Sequence, residues 1–341
     1  MRRFLGLILV INLLLCGCAT VVQPEEQQYT ATFLELFDTV TTVLGRDESE
    51  EAFTAKAQGI RDDLQRYHQL FDIYHEYEGI SNLKTVNDNA GVGPVTVDRE
   101  IIELLLDCKR YYALTDGKVN VAMGSVLQLW HVARNDGIRD PGQAQLPDME
   151  QLQLAADHMD MENIVIDEAA STVYITDPEV QLDVGAVAKG WATQRVAEKA
   201  PAGLLISVGG NVYATGPKKA DGTPWVIGIQ DPAQAEKNLH TVYLTTGAVV
   251  TSGDYQRTYT VEGKSYHHII DPETLMPAGY WRSVSILCSD SGLADALSTG
   301  LFLMDLEQGK ALAQQYDAEV LWVDAQGNQY MTSGFESRLR N

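Results

Sequence analysis

Cysteine is nearly absent from this chain of 341 residues: there are four, and two of them, Cys16 and Cys18, stand among the first eighteen positions. The other two, Cys108 and Cys288, are far apart and sit in apolar runs, the setting of two buried thiols rather than a disulfide. No cysteine or histidine spacing of the zinc-binding kind occurs, which excludes a zinc module. Positive charge is also scarce. Lys and Arg number 25 against 47 Asp and Glu, a formal net charge of −22. Such a surface repels nucleic acid, so no nucleic-acid partner is expected. Any anionic ligand must meet a local positive focus, from Lys189, Arg257, a helix N-terminus or a bound cation. No proline-rich linker, low-complexity tract or internal repeat divides the chain. The G-x-S-x-G frame of a serine-hydrolase elbow is missing as well.

The N-terminus is the one stretch with little polarity. MRRFLGLILVINLLLCGC places two arginines before an apolar run, Phe4 to Leu15, too short to span a bilayer comfortably. This is the form of a secretory signal peptide. Its end, Leu15-Cys16-Gly17-Cys18, resembles a bacterial lipobox, which implies cleavage before Cys18 and lipid on its thiol. The expected organisation is a signal peptide at 1–17, a lipid-anchored tether at 18–30 and one domain at 31–338. The mature protein would be exported and held at the cell membrane as a lipoprotein. Losing Arg2 and Arg3 with the leader takes the net charge from −22 to −24.

The rest mixes helix and strand patterns without strict βαβ alternation, so the expected class is α+β. Thr30–Leu44 alternates and is β-branched, predicting a strand or two. Glu50–Phe71 predicts a helix with Phe53, Ile60, Leu64, Tyr67 and Phe71 on one face. Asp72–Asn89 has the composition of a polar connection. Asp98 is a candidate N-cap for a helix that Thr115-Asp116-Gly117 stops. A glycine turn and short helix are expected within Asn120–Arg134, and a helix over Pro147–Asp157 with the proline in its first turn. Asn163–Ile175 predicts a hairpin. Short strands follow at Leu204–Val208, Trp225–Gln230, Val242–Leu244, Ala248–Ser252 and Tyr259–Val261. Helices are expected at Leu293–Met304 and Glu307–Tyr316, then a strand at Glu319–Val323.

Four motifs carry candidate chemistry. In QLDVGAVAKGWATQRVAEKA (181–200), Asp183 precedes a glycine turn and Lys189 lies about a turn inside a helix. That helix start is a plausible seat for a phosphate-bearing ligand, although such turns also serve structure alone. In ADALSTG (294–300), Asp295 and Thr299 share a helix face at i,i+4 and Ser298 is the i+3 neighbour. Three oxygens there suit a hard cation, magnesium or calcium; equally, the hydroxyls could bond back to the backbone. In HHIIDP (267–272), adjacent histidines on an extended segment point to opposite faces, so one could serve a cleft as general base while the other meets solvent. TSGDYQR (251–257) gathers hydroxyls, Asp254 and Arg257 on a small-residue loop, suited to a polyol or phosphate, or to a plain Ser/Asp turn.

Taken in order, these segments resemble the ApbE family, FAD:protein FMN transferases that include exported bacterial lipoproteins. The likeness runs from about Leu34 to Glu336. It is carried by FDTVTTV, FDIYHEYEGISNLKTVN, TDGKVNVAMGSVLQLW, LDVGAVAKGWA, SVGGNVYATG, PWVIGIQDP, TSGDYQR, YHHIIDP and ADALSTGLFLM. The resemblance implies a single domain of mixed sheet or barrel with surrounding helices. It implies that Asp183 and Lys189 bind the flavin nucleotide, and that Phe37, Tyr74, Lys118, Val119, Asn120 and Ile270 line the FAD site. Asp295, Thr299 and the main-chain carbonyl of Ala186 match metal ligands, with Mg2+ expected and Ca2+ possible. Ser298 stands where some members have a metal-binding aspartate. His268 matches the histidine proposed to activate the acceptor threonine.

The implied reaction cleaves FAD and joins FMN by a phosphoester bond to a threonine of an acceptor flavoprotein, releasing AMP. The implied acceptor is a subunit of an Rnf- or Nqr-type redox complex or another exported flavoprotein. Two rivals share the site: FAD hydrolysis to FMN and AMP, with water replacing threonine, and flavin binding without catalysis, against which a general base argues. Two positions depart from the family pattern. Leu275 replaces the glycine of D-P-x-T-G-x-P, which is expected to reshape the turn beyond the histidine. Gln194 replaces a common aspartate.

Overall fold

The structure is a computed structural model that describes residues 26–340, with only the backbone described at Glu35 and Ala235. The expected signal peptide and the Cys18 lipidation site lie outside the described residues. The last residues of the expected tether already belong to the fold, because β1 (Gln27–Leu36) pairs in antiparallel register with β2 (Thr39–Asp47). The turn between them holds Phe37 and Asp38 at φ 53° and 54°, the left-handed geometry of a tight hairpin.

Helix α1 (Glu50–Phe71) follows for legible reasons. The Ser49 side chain accepts the Ala52 N–H at 3.2 Å, and Glu50 and Glu51 occupy the positive end of the helix. Its buried stripe includes all five apolar residues expected, with Ala57 and Leu70 besides. The connection after it is not wholly irregular. Asn82 caps α2 (Leu83–Asp88), accepting the Thr85 N–H at 3.1 Å. Next come β3 (Val95–Thr96) and α3 (Arg99–Leu114), the latter flanked by Asp98 and Thr115 as expected, although the Asp98 side chain makes no capping bond. Helix α4 (Gly124–Arg139) extends past the expected end at Arg134. In α5 (Met149–Ala156) the cap position is Asp148, so Pro147 stands before the helix instead of in its first turn. Strands β4 (Ile164–Asp167) and β5 (Thr172–Ile175) form the expected hairpin, and β5 pairs with β3.

After α6 (Ala188–Lys199) come β6 (Leu204–Val208), β7 (Asn211–Ala214), β8 (Trp225–Asp231), β9 (Gln234–Leu244), β10 (Gly247–Gly253), β11 (Tyr259–Val261), β12 (Lys264–Tyr266) and β13 (Trp281–Cys288). The chain closes with α7 (Ser291–Phe302), α8 (Leu306–Gln315), β14 (Glu319–Asp324), β15 (Gln329–Met331) and α9 (Ser333–Ser337). The expected Val242–Leu244 strand is thus the tail of a longer one, and β7, β12, β13 and β15 went unread in the sequence. The class is α+β, as expected. The main sheet is open, in the order β1-β2-β6-β7-β10-β13-β14-β15, with each adjacent pair antiparallel.

Helices α1, α3 and α6 bury their apolar residues with β2 and β6 in one continuous core, and α7 packs on α6, β10 and β13. Almost all of α7 is buried, its start fixed by Asp290, which accepts the Leu293 N–H at 2.8 Å. Gln194, the departure in α6, accepts the Ser291 N–H at 2.8 Å and so ties α6 to the start of α7. The two cysteines among the described residues are free thiols, Cys108 buried and Cys288 partly so.

Leu275 sits at φ 60°, a conformation that favours glycine, and its N–H reaches the Asp271 carbonyl at 2.8 Å. That backbone costs about 1–2 kcal/mol for a residue with a side chain. Burial in a cluster with Met123, Trp130 and Ile270 returns about 1.5–3 kcal/mol.

Candidate active site

Between the sheet and α1, α4, α6 and α7 lies a cavity of about 1140 Å³. It exceeds the span of pockets that hold drug-sized molecules and has room for a dinucleotide. Its wall collects residues from far apart in the chain: Phe37, Tyr74, Lys118, Val119, Asn120, Asp183, Ala186, Lys189, His268, Ile270, Asp295 and Thr299. These are all the expected site residues of the described chain except Ser298.

The centre is the contact of α6 with α7. Gly190 makes it possible, because a Cβ there would stand 2.3 Å from both the Asp295 Cβ and the Ser291 carbonyl oxygen. The close approach lets the Gly190 N–H donate to Asp295 Oδ2 at 2.8 Å, with Lys189 Nζ 3.7 Å from the same oxygen. The start of α6 is therefore a narrower anion seat than the sequence suggested. Its Ala188 N–H goes to the Val184 carbonyl, its Gly190 N–H goes to Asp295, and the charge it receives from the protein is that carboxylate. Lys189 is the second residue of the helix, not a full turn inside.

Asp295 is only 4% exposed, yet Oδ1 has no protein partner among the described residues. Thr299, one turn on, also borders the cavity, as does Ala186 before α6. Carboxylate, hydroxyl and carbonyl make an all-oxygen set. It fits a hard cation that takes few protein ligands and completes its shell with phosphate and water. Among the described residues no three His, Cys, Asp or Glu side chains gather as an all-protein metal cage. Ser298 lies behind the wall, fully buried, its hydroxyl bonded to Ser252 Oγ at 2.8 Å and the Asp295 carbonyl at 2.9 Å. It braces α7 on β10.

The two histidines divide as the extended segment requires, with one correction. His268 borders the cavity, and its Nδ1–H donates to the Gln256 carbonyl at 3.3 Å, leaving Nε2 without a partner among the described residues. Burial, then the charges of Arg257, His267 and Lys189, lower its pKa to about 3, so the ring is neutral near pH 7. His267 is half-buried rather than turned out to solvent. It packs edge-on against Phe302 at 5.7 Å, Nε2–H donates to the Ala278 carbonyl at 2.9 Å, and Nδ1 accepts the Ile269 N–H at 3.2 Å. Both of its nitrogens are occupied structurally.

Some expected ligand contacts double as scaffolding. Lys118 reaches Asp271 at 3.2 Å and Glu273 at 2.8 Å, which pins the turn after the histidines. The Asn120 amide donates to the Met159 carbonyl and accepts the Ala122 N–H, each at 2.8 Å. Asp183 accepts the Gly185 N–H at 2.8 Å. The Phe37 N–H donates to His68 Nδ1 at 3.2 Å. Thr251 is bonded to Ser285, and Asp254 to Arg282 at 3.3 Å, so most of TSGDYQR is internal support.

Sequence reasoning missed four residues. Asp72 accepts the N–H groups of Tyr74 and His75, the Tyr77 hydroxyl and His75 Nδ1. Burial alone would raise its pKa, but these bonds outweigh it and hold the carboxyl below the usual range. An Asx turn after a helix end was the available signal. Asp72 thereby aims Tyr74, whose hydroxyl meets His131 Nδ1 at 3.0 Å. Burial, with the Asp183 charge behind it, pushes the Tyr74 hydroxyl up to about 12, so it stays neutral. His131 and Arg134, at i,i+3 on α4, face the cavity together. Asn211 also borders it, only 2% exposed, with its amide nitrogen buried and without a partner among the described residues. Such an orphan costs about 1–3 kcal/mol unless a ligand accepts from it.

Residues 35–322 match the model of the ApbE family. The chain is 30% identical over 273 residues to a FAD:protein FMN transferase of Klebsiella pneumoniae, covering 75% of this chain and 81% of that one. It is 31% identical over 279 residues to a FAD:protein FMN transferase of Treponema pallidum, covering 76% and 75%. Among solved structures, the ApbE protein of Thermotoga maritima superposes with a TM-score of 0.80 at 30% identity, over 92% of this chain and 100% of that one. The flavin transferase ApbE of Vibrio cholerae shares the fold at a TM-score of 0.75 and 24% identity, over 92% and 100%.

Proposed function

Because this chain belongs to the ApbE family and is a FAD:protein FMN transferase, we propose that it moves FMN from FAD onto a threonine hydroxyl of an acceptor flavoprotein, releasing AMP, with the aid of a divalent cation. The observation that carries the reading is His268. A neutral imidazole with Nδ1 tied to Gln256 presents Nε2 to the cavity that also holds Lys189 and Asp295.

In this reading, Asp183 and Lys189 hold the flavin nucleotide, the aromatic rings of Phe37 and Tyr74 flank it, and Asn211 supplies a donor. Asp295, Thr299 and the Ala186 carbonyl would hold Mg2+, with Ca2+ the alternative. When bound, the ion neutralises phosphate oxygens and stabilises charge developing on them. His268 Nε2 takes the proton from the threonine hydroxyl as the threonine oxygen bonds to the FMN-side phosphorus. The bond from that phosphorus to the bridging oxygen breaks, and its electron pair leaves with AMP. Pyrophosphate beside Lys189 offsets one of the charges that depress His268 and makes it a better base in the complex. Lys189 steadies the reacting phosphates and positioning does most of the rest.

The acceptor is proposed to be an exported flavoprotein, such as a subunit of an Rnf- or Nqr-type redox complex. The protein itself is proposed to be a lipoprotein held at the membrane through Cys18. The test of the site is His268→Ala. FAD should remain bound while FMN transfer falls by roughly a hundredfold to ten-thousandfold, the span for a positioned general base. Transfer at the wild-type rate would remove His268 from the chemistry.

A further inference from the structure

Two cations on the cavity wall have no carboxylate partner among the described residues. Arg134, half-buried on α4, and Arg257, exposed on the loop after β10, form no ion pair or hydrogen bond there. In a chain with 47 acidic residues against 25 basic ones, two guanidiniums left side by side are unexpected. They share a water-sized recess of about 10 Å³ with His131 and His268. They are close enough that Arg257, after burial, lowers the Arg134 pKa. The arrangement is maintained by the fold. Arg257 follows Gln256, whose carbonyl holds His268, and Asp254 anchors the same loop to Arg282 at 3.3 Å.

Lys189 already has a partner, Asp295 at 3.7 Å, whereas Arg134 and Arg257 share their recess with His131, His267 and His268, the proposed base among them. Arg257 is exposed, and so are Tyr74, 50%, and Val132, 49%, on either side of His131 in its contacts and its chain. The pair is thus open to a ligand that arrives from solvent and reaches the base. Resting on the transferase reading above, we propose that Arg134 and Arg257 form an acceptor subsite that binds a carboxylate side chain flanking the target threonine. A guanidinium offers a planar fork to a carboxylate. A local positive focus also overcomes the repulsion that the protein's net charge of −22 imposes on an acidic acceptor.

The test uses the full described chain, FAD, Mg2+ and threonine-centred nonapeptides, each carrying one Asp at a different position, beside matched Asn peptides; labelling is read by mass. The wild type should label at least one Asp peptide with a KM about tenfold to a hundredfold below that of its Asn twin, the range of a charge-assisted hydrogen bond. Arg134→Gln and Arg257→Gln should each erase that preference by raising KM, with kcat at saturating peptide and FAD affinity by fluorescence titration near wild type. Arg134→Glu should favour a Lys peptide. Equal labelling of Asp and Asn peptides overturns the subsite alone. Weakened FAD binding in the Gln variants overturns it by assigning the arginines to the nucleotide. Release of FMN and AMP with no peptide labelled overturns the subsite and the transferase reading together.

Discussion

Replacing Gly190 by alanine tests how the site is held together. Its Cβ would lie 2.3 Å from the Asp295 Cβ and from the Ser291 carbonyl oxygen, neither of them the end of a flexible chain. Carbon atoms in contact stand about 3.5–4.0 Å apart, so α6 and α7 must separate by at least about 1.2 Å or Asp295 must turn away. Overpacking of this kind costs about 1–3 kcal/mol. The better helix propensity of alanine returns up to about 1 kcal/mol. The net expectation is a loss of about 0–3 kcal/mol, measured by urea unfolding. Activity should suffer more than stability. The shift opens the 2.8 Å bond from Gly190 N–H to Asp295 and moves Lys189, and a misplacement of about 1 Å costs roughly a hundredfold in rate. Gly59→Ala on the exposed face of α1, with nothing within 4 Å of the new Cβ, is the control and should stabilise by up to about 1 kcal/mol without touching transfer. Wild-type turnover in Gly190→Ala would refute the argument that this contact sets the geometry of Asp295.

The remaining expectations concern the base, the metal and the anchor. His268 has a pKa lowered to about 3, below its unfolded value, so the native state binds fewer protons than the unfolded one between about pH 3 and 6.5 and this residue's contribution to stability falls as pH drops through that window. Removing it in His268→Ala should flatten that acid-side loss in thermal unfolding, and the acid limb of kcat should lie at higher pH than that of kcat/KM, because bound phosphates raise the base. Coincident limbs near pH 6.5 would contradict this. Asp295→Ala should abolish transfer while sparing the fold by circular dichroism, and a chelator should do the same to the wild type; undiminished turnover in chelator would dispose of the metal. Cys18→Ser should move the protein from the membrane fraction to the soluble one, and a variant that stays membrane-bound would refute lipid anchoring.

Local signals in the sequence were strong enough to place α1, the β4–β5 hairpin, β6 and β11 to within a residue or so, because caps, turn residues and apolar periods are short-range features. The site residues were legible only as motifs in order. What joined them was not, since it depends on approach between distant segments: His131 meets Tyr74 across 57 positions, and the Gly190 N–H meets Asp295 across 105. Strand β13 was invisible for another reason. It is buried on both faces between β10 and β14 and shows no alternation. At Leu275 the side chain hid a glycine-like backbone, whose cost burial offsets. Ser298, a hydroxyl at the right spacing, turned out to be spent on Ser252.

The central claim is that this cavity transfers FMN to a threonine rather than to water. The most direct measurement is intact mass of exported redox-complex domains bearing a surface threonine, after incubation with the enzyme, FAD and Mg2+. The expected result is a gain of FMN less one water, mapped to threonine, with one AMP released per label and at a rate at least about a hundredfold lower in His268→Ala. FMN and AMP accumulating in equal amounts, with every domain left at its original mass, would contradict it.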